Sequence, residues 1–418
     1  MRSKPKNILP RFSDNKLTKS KGNVIKQVTD ISVMRKILMI PGPIEYENNV
    51  LNAMSLPTMS HSSKEFVSIF RNSLLNLSTI FGASPSDSLP FIISGSGTLG
   101  MELSTVNFIN RDSKVLVVNN GYFGDRFVDL FSRFTARVDQ LKPSLGEAVD
   151  PRVVKEKIDT NEYELMTVTH VDTSTGVRND VKRIAEITGK SETLLVVDAV
   201  CAAGGEYLDM KWGVDVAFSA SQKALGAPPG LAVGVAGKRA IERMEKVQPL
   251  SFFSDLRKWN SVSRGVLESK GGYFGTPNTN LILALSISLT NILEEGMDAR
   301  IRRHEKMARA IRAGIGALGL EFIPKKDFAN TVSAIYLPDG IDSKKFLRDS
   351  ENNGAVFASG LIKDIASSYF RIGHMGTISA TEVMLAIGAI ERALKSNGYK
   401  VKAGTGLGAS QEYLIENS

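Results

Sequence analysis

Between about residues 90 and 236, short apolar runs rich in β-branched residues alternate with longer amphipathic segments. The apolar runs are residues 91–93, 115–118, 165–169, 194–197, 214–218 and 231–236. This alternation predicts an α/β domain with a mostly parallel sheet. Because nearly every position of these runs is apolar, we expect helices to cover both faces of the sheet.

A second pattern of elements follows Pro277. It begins with a helical tract over residues 281–318, whose later part is charged. Strands are then predicted at 331–337, 355–358 and 369–372, and helices at 342–352 and 380–395. These elements form a second, smaller α/β unit, joined to the first by the long helix. The chain thus divides into a basic N-terminal arm (1–33), a large domain (34–295), a small C-terminal domain (296–395) and a tail (396–418).

Composition narrows the class of protein. The chain has 418 residues, 42% of them hydrophobic, enough for a large core. No uninterrupted apolar run approaches the roughly 20 residues that cross a bilayer, so no membrane span is expected. The net charge is +8, but the first 33 residues hold eight basic and only two acidic side chains. The remainder is nearly neutral, so nucleic acid is not an expected partner.

The arm is rich in Ser, Asn and Lys with scattered apolar residues, and in this it resembles an organellar presequence. Lysine outnumbers arginine in the arm, which is less typical of such presequences. Two interpretations stay open. We favour a mitochondrial targeting segment; the other is a disordered basic tail on a cytoplasmic protein, with Met34 as a second start.

Cysteine and histidine usage argues against a metal site. Cys201 is the only cysteine, so a disulfide within the chain and a cysteine-based metal cluster are excluded, and a reducing compartment is expected. The four histidines, His61, His170, His304 and His374, are too dispersed for the spacing of metal ligands on a helix.

The first strand end carries a phosphate-binding pattern. In open α/β sheets, ligands bind at the carboxyl ends of the strands. Residues 95–100 follow the first strand as Gly-x-Gly-x-x-Gly, which offers backbone N–H groups at a helix N-terminus to a phosphate, and Ser96 and Thr98 add hydroxyl donors. A dinucleotide site would also need an acidic residue at the end of the next strand, which instead ends in Asn119 and Asn120. We therefore predict a phosphate site and disfavour a dinucleotide.

Each of the next two strand ends allows two interpretations. Gly121-Tyr122-Phe123-Gly124 places an aromatic pair between glycines, which either lies against a planar ring or packs under the loop. Residues 169–176 crowd small hydroxyl side chains into one turn, which either line a site or cap the next helix.

Asp198 and Lys223 are the strongest candidates for chemistry. Asp198 closes the apolar run 194–197, where a buried carboxylate needs a positive partner such as a protonated pyridine nitrogen. Lys223 follows the next strand, among small residues. Lysine forms Schiff bases with carbonyl cofactors, best where its pKa is depressed; the other interpretation of Lys223 is a solvated lysine in a loop. With the phosphate pattern, the pair predicts a pyridoxal phosphate site.

Six motifs between residues 38 and 394 resemble the alanine-glyoxylate aminotransferases, which are class V, fold-type-I pyridoxal phosphate enzymes, and most of all their fungal members. The motifs are Pro41-Gly42-Pro43, Ser94-Gly95-Ser96-Gly97-Thr98, Ser174-Thr175-Gly176-Val177, Val197-Asp198-Ala199-Val200, Ser221-Gln222-Lys223-Ala224 and Arg371-Ile372-Gly373. The resemblance implies an α/β fold with a mostly parallel seven-stranded sheet in the large domain and a smaller C-terminal α/β domain.

The resemblance also implies roles around the cofactor. Lys223 would form the Schiff base and later move the proton between substrate and cofactor, and Asp198 would pair with the pyridine nitrogen. Phe123 would stack on the ring, where many relatives have Trp, and Thr173 would contact the region of the ring hydroxyl. The phosphate would be held by Ser96, Gly97, Thr98 and Gln222.

Further implied roles concern the partner subunit and the substrate. Tyr273 and Thr276 match residues that complete the phosphate cup of the neighbouring subunit, so a homodimer with shared active sites is expected. Arg371 would bind the substrate carboxylate bidentately, although an arginine on a strand can also form a structural ion pair. The backbone at Gly42 would border the substrate entrance. His61 matches a family position with no contact assigned to it.

The implied reaction moves the amino group of L-alanine to glyoxylate, giving pyruvate and glycine, and so serves glycine biosynthesis. Serine with pyruvate or glyoxylate is the alternative pair. Three other classes of protein fit the sequence less well. A cysteine desulfurase needs a mobile cysteine, whereas Cys201 lies beside Asp198, and we interpret Cys201 and His170 as packing residues. A non-catalytic carrier would not need Arg371, and a dehydrogenase would need the missing acidic residue.

Overall fold

A seven-stranded sheet organises most of the chain in the computed structural model, which describes residues 36–84, 86–135 and 137–417. The strands up to residue 237 are β1 (Ile37–Leu38), β2 (Ser88–Ser94), β3 (Lys114–Val118), β4 (Arg137–Leu141), β5 (Leu165–Thr169), β6 (Leu194–Asp198), β7 (Val216–Ala220) and β8 (Leu231–Gly237). Strands β2 to β8 form the sheet in the order β2-β8-β7-β6-β5-β3-β4. Strand β8 is antiparallel to both neighbours and the other pairs are parallel, so the predicted mostly parallel sheet is confirmed.

Helices cover both faces of this sheet. They are α1 (Asn48–Met54), α2 (Lys64–Ile80), α3 (Gly97–Val106), α4 (Tyr122–Ser132), α5 (Pro151–Thr160), α6 (Val181–Thr188), α7 (Lys238–Met244), α8 (Leu256–Leu267) and α9 (Thr279–Glu295). Successive side chains of a strand point to opposite faces. In β3, Val115 and Val117 accordingly join one apolar cluster, and Leu116 and Val118 join the other.

Strand β4 was missed by the apolar pattern. It lies at the edge of the sheet and pairs with β3 alone, and of its five residues only Leu141 is buried. Asp139 instead accepts a hydrogen bond from the Tyr163 hydroxyl, 2.5 Å away. An edge strand that is largely open to solvent needs no apolar run, so the pattern gave no signal.

The predicted single helix over residues 281–318 is wrong, because the chain breaks at Gly296. Helix α9 ends at Glu295, and α10 (Met297–Ala317) begins after Gly296, whose φ of +82° lies in the left-handed region that favours glycine. Glu295 stabilises this break by accepting hydrogen bonds from Arg300 Nη1 at 2.7 Å and from Arg303 Nε at 2.6 Å.

The C-terminal part is a smaller α/β arrangement with its own apolar cluster. Its strands are β9 (Val332–Tyr336), β10 (Ala355–Val356), β11 (Ala358–Ser359) and β12 (Tyr369–Gly373), and its further helices are α11 (Ser343–Asn352), α12 (Ala380–Ser396) and α13 (Thr405–Glu416). Strands β11, β12 and β9 form an antiparallel sheet, while β10 pairs in parallel with β1. The N-terminal segment of the predicted large domain therefore joins this second cluster.

The segment predicted to be a tail is structured. Ser410 of α13 donates to the Ala310 carbonyl at 2.9 Å, and Leu414 is buried in the C-terminal cluster. The described residues from 37 to 417 form one compact unit, and the domain boundary at residue 295 stays a prediction. The arm and its targeting role lie outside the described residues. None of the described helices is long and apolar enough to span a bilayer.

Candidate active site

The predicted cofactor residues meet in one cavity of about 170 Å³ at the carboxyl ends of β5, β6 and β7. Eight of them line it: Ser96, Gly97, Thr98, Phe123, Thr173, Asp198, Gln222 and Lys223. Parallel strands end at the same edge of a sheet, which is why residues distant in sequence converge here. The chain offers no group of three or more potential metal ligands among its described residues.

Lys223 is enclosed by the N-terminal segment of the chain. Its Nζ donates to the Pro41 carbonyl, and a Cβ built on Gly42 would lie 2.6 to 2.9 Å from the lysine side chain. The φ of Gly42 is +103°, so glycine is required there for backbone conformation as well as for space. Burial lowers the pKa of Lys223, and the charge of Arg371 lowers it further, against the raising effect of Cys201 and Asp198. A lysine with a lowered pKa is a better nucleophile and proton acceptor near neutral pH.

Asp198 is a buried carboxylate with few partners. It is 2% exposed, and its Oδ1 accepts from the Val200 N–H at 2.9 Å. Burial raises the pKa of Asp198 to about 7, and the negative charge of Asp172 adds to the shift, while the charges of Lys223 and Arg126 lower it. A cation brought into the cavity would stabilise the ionised form, as a protonated pyridine nitrogen does.

The N-terminus of α3 presents unused donors to the cavity. The N–H groups of Leu99 and Gly100 bond to the Ser96 carbonyl, whereas those of Gly97 and Thr98 have no acceptor among the described residues. Beside them, Gln222 Oε1 is buried without a hydrogen-bond partner in the described structure. Free amides at a helix N-terminus favour an anion such as phosphate.

The aromatic loop is held at the cavity through Ser174 by Asp172, a residue that the sequence did not single out. Asp172 is fully buried, and its Oδ1 accepts from the N–H groups of Ser174 at 2.8 Å and Thr175 at 3.2 Å, while its Oδ2 has no hydrogen-bond partner among the described residues. The Ser174 hydroxyl also bonds to Asp172 and accepts from the Tyr122 N–H at 3.1 Å. Thr173 therefore lines the cavity, as the first interpretation of the hydroxyl-rich turn predicted, whereas the next helix, α6, is capped by Asp180 outside this turn. Asp172 and Ser174 instead fix the aromatic loop.

Arg371 lies on β12 and is joined to the cavity wall through Thr173. Its Nε donates to the Ser359 carbonyl at 2.8 Å and its Nη1 to the Thr173 carbonyl at 3.2 Å. Arg371 is 7% exposed, and burial lowers its pKa. Because a guanidinium has five N–H donors, three remain for a carboxylate.

Tyr273 and Thr276 do not line the cavity of their own chain. Tyr273 is 64% exposed, and its hydroxyl lies 3.3 Å from Thr276 Oγ1. The ring of His61 lies 5.3 Å from that of Tyr273, so this third residue belongs to the same surface. Their predicted contribution to a partner subunit stays a prediction.

Cys201 and His170 are both buried, in different surroundings. Cys201 lines the cavity, and its Sγ lies 3.7 Å from Thr331 Oγ1, while burial raises the pKa of the thiol. A thiol with a raised pKa is a poor nucleophile. Burial lowers the pKa of His170 to about 3, so this imidazole is neutral, and it does not line the cavity.

Comparison with known proteins places these residues in a described family. The family model "Aminotransferase class-V" matches residues 43–360. Alanine–glyoxylate aminotransferase 1 of Saccharomyces cerevisiae is 39% identical over 361 residues, covering 82% of this chain and 93% of that protein. Serine–glyoxylate aminotransferase of Hyphomicrobium methylovorum is 33% identical over 401 residues, covering 91% and 95%. The crystal structure of pyridoxamine-pyruvate aminotransferase from Mesorhizobium loti superposes with a TM-score of 0.87 at 26% identity, covering 93% of this chain and 99% of that one.

Proposed function

The chain belongs to the class-V aminotransferase family, and on that premise we propose that it moves the amino group of L-alanine to glyoxylate, using pyridoxal phosphate and giving pyruvate and glycine. Serine as the donor is the second candidate, because a serine–glyoxylate aminotransferase is also among the relatives. The observation that carries the aminotransferase assignment is the meeting of Lys223, Asp198 and the α3 N-terminus in one cavity, beside Arg371.

The donor set fits the cofactor. Asp198 offers a buried carboxylate to a ring nitrogen, and Lys223 offers an amine with a lowered pKa to an aldehyde. The free amides of Gly97 and Thr98 mark the end of the cavity for a phosphate, and the carboxamide of Gln222, whose Oε1 has no partner in the described structure, can turn its NH₂ group towards it. When bound, the cofactor supplies an electron sink that withdraws electrons from the substrate α-carbon.

The chain's own residues then orient the substrate and move its proton. Three free N–H donors of Arg371 bind the substrate carboxylate, and this fixes the α-carbon relative to Lys223. Lys223 in its neutral form would accept the proton of the substrate α-carbon at Nζ and hold it for return. Asp198 in its ionised form would hold the ring nitrogen of the cofactor by charge. The backbone at Gly42 lies against Lys223, and because glycine has no side chain it leaves room for the lysine there.

The positions of the positively charged side chains around the cavity support an amino-acid donor with a single carboxylate. A dicarboxylic donor such as aspartate needs a second cation near its side chain. Among the described cavity-lining residues, the cations are Lys223 and Arg126, and Arg126 bonds to Thr98 at the phosphate end. This supports alanine or serine as the donor. The 39% identity to the yeast alanine–glyoxylate enzyme supports alanine.

An exposed aromatic surface supports the homodimer in the proposal. Phe252 is 74% exposed, and its ring centre lies 5.4 Å from that of Phe274, which follows the exposed Tyr273 in sequence; Leu250, two residues before Phe252, is 69% exposed. Apolar surface of this kind typically marks a protein interface. A mitochondrial location remains part of the proposal on the composition of the arm alone.

A matrix of amino donors and 2-oxo-acid acceptors tests the substrate proposal. We expect L-alanine alone to bleach the visible band of the lysine-bound cofactor, and glyoxylate to restore it. If L-serine or L-aspartate bleaches the band and L-alanine does not, the proposed donor is wrong. A purified protein that takes up no pyridoxal phosphate would contradict the function as a whole.

A further inference from the structure

Arg126 is a cation at the phosphate end of the cavity. It lies on α4, which begins at the aromatic loop, and its side chain lines the cavity together with Thr98 and Lys223. Its Nη1 donates to Thr98 Oγ1 at 3.2 Å, and Thr98 is the second residue of α3. The guanidinium is thereby fixed beside the unused amides of Gly97 and Thr98.

The guanidinium is held in this position by aromatic rings. Its central carbon lies 5.0 Å from the centre of the Tyr122 ring and 5.2 Å from that of the Phe123 ring, and its Nη2 donates to the Tyr122 hydroxyl at 3.1 Å. Stacking on aromatic faces fixes an arginine without neutralising it. Within the described residues, no carboxylate of the chain forms an ion pair with Arg126.

The phosphate residues predicted from sequence carry no charge. Ser96, Gly97, Thr98 and Gln222 supply amides, hydroxyls and a carboxamide, and Lys223 is reserved for the aldehyde. A phosphate monoester carries a charge of roughly −1.5 to −2 near neutral pH, and its hydrogen bonds are strongest when the donor is a cation. Arg126 supplies the charge that the neutral donors lack.

We propose that Arg126 binds the phosphate of the cofactor within its own chain. The proposal rests on the proposed function, because it assumes that pyridoxal phosphate is the ligand. It adds a cationic contact that none of the sequence motifs contains.

Titration of the cofactor-free full-length protein with pyridoxal phosphate and with pyridoxal tests the proposal. Pyridoxal lacks the phosphate, so its affinity reports on folding and on the parts of the site that do not contact the phosphate. We expect Arg126→Gln to weaken pyridoxal phosphate binding by about 10- to 100-fold, the range for one charge-assisted hydrogen bond, and to change pyridoxal binding by less than about twofold. Arg126→Lys should recover part of the loss, because it keeps the charge and loses the planar contacts.

Arg133→Gln is the matched control. Arg133 follows the same helix, is 67% exposed and pairs with the equally exposed Asp129, so its loss removes one positive charge without touching the cavity. Both dissociation constants of this variant should equal those of the wild type. Inorganic phosphate should compete with pyridoxal phosphate in the wild type and in Arg133→Gln, and less well in Arg126→Gln.

Three results would overturn the proposal. One is an unchanged pyridoxal phosphate affinity in Arg126→Gln. Another is an equal loss for pyridoxal phosphate and pyridoxal, which would mean a structural effect. The third is a raised KM for glyoxylate at unchanged cofactor affinity, which would place the substrate carboxylate at Arg126. A wild type that binds no pyridoxal phosphate is a separate outcome, because it overturns the proposed function itself.

Discussion

The ends of β5 and β6 carry two buried carboxylates that look alike in sequence and differ in what surrounds them. The two strands are parallel neighbours, with Thr169 paired to Asp198. Asp172 and Asp198 are 0% and 2% exposed, and burial raises the pKa of both. Asp172 Oδ1 receives hydrogen bonds from the N–H groups of Ser174 and Thr175 and from the Ser174 hydroxyl, whereas Asp198 receives one, from Val200.

The difference indicates that Asp172 stabilises the structure of the site, whereas Asp198 binds a ligand within it. A carboxylate supplied with several donors by the protein is stable as part of the fold. A carboxylate with one donor beside a cavity is costly until a ligand brings a positive charge. We therefore expect the loss of Asp172 to act mainly on stability, and the loss of Asp198 mainly on cofactor binding and turnover.

Asp198→Asn should give the largest effect. The amide keeps the shape and the acceptor for the Val200 N–H but loses the charge that pairs with the ring nitrogen. We expect kcat for alanine to fall by about 10²- to 10⁴-fold, the range for a broken buried ion pair, with no loss in the free energy of unfolding of the cofactor-free protein. Single-turnover kinetics and denaturant unfolding measure the two quantities. A fall of less than about tenfold would remove the distinction between the two carboxylates.

The pH dependence of stability sharpens the same distinction. The pKa of Asp198 is about 7 in the folded cofactor-free protein and about 4 in an unfolded chain, so the folded state binds more protons between these values. The free energy of unfolding should therefore fall as pH rises from about 4 to 7, by up to about 1.4 kcal/mol per pH unit from this group. Asp198→Asn should lack this contribution. Equal pH profiles for wild type and variant in urea would show that the pKa of Asp198 is not raised.

Asp172→Ala should act in the opposite way. It leaves the N–H groups of Ser174 and Thr175 and the Ser174 hydroxyl without their acceptor, so we expect the free energy of unfolding to fall by about 2 to 4 kcal/mol. Turnover should fall by only about tenfold, since Phe123 loses its support but the chemical groups remain.

Asp180→Ala is the control for Asp172→Ala, because Asp180 caps α6 by accepting from the Arg183 N–H at 3.0 Å. It should cost about 1 kcal/mol of unfolding free energy and leave turnover unchanged. If both variants lose the same stability and neither loses turnover, Asp172 is a simple cap and the contrast with Asp198 is wrong in that respect.

Gly121→Ala should give the smallest effect. A Cβ at this position would lie 2.4 Å from Ser174 Oγ and 2.6 Å from Asp172 Oδ1, so it would push the turn away from the aromatic loop. We expect a loss of about 1 to 3 kcal/mol in unfolding free energy and a weaker cofactor affinity. Gly316→Ala, in open space within α10, should be neutral or stabilising by up to about 1 kcal/mol. A Gly121→Ala protein as stable as wild type would mean that the turn is not tightly packed.

The sequence best predicted those elements and residues whose amino-acid type points to a single structural or chemical role. Apolar runs buried on both faces identified six strands of the large sheet, and strand ends identified Asp198 and Lys223. Strand β4 was not predicted, because a polar edge strand needs no apolar run. The break at Gly296 was not predicted either, because good helix formers flank this single glycine.

Tertiary contacts account for what remained hidden in the site. Asp172 stands in a hydroxyl-rich turn whose pattern equally suits a helix cap. Arg126 belongs to no motif, and only the packing of α4 brings it to Thr98. The contact between Pro41 and Lys223 joins residues 182 positions apart, which no local pattern can show.

Identification of the lysine that carries the cofactor tests the central claim most directly. The purified protein is reduced with sodium borohydride, which makes a lysine–cofactor link permanent, and its peptides are analysed by mass spectrometry. We predict a pyridoxyl phosphate label on Lys223, which disappears when L-alanine is added before reduction. A label on another lysine, or none in a protein with bound cofactor, would contradict the account.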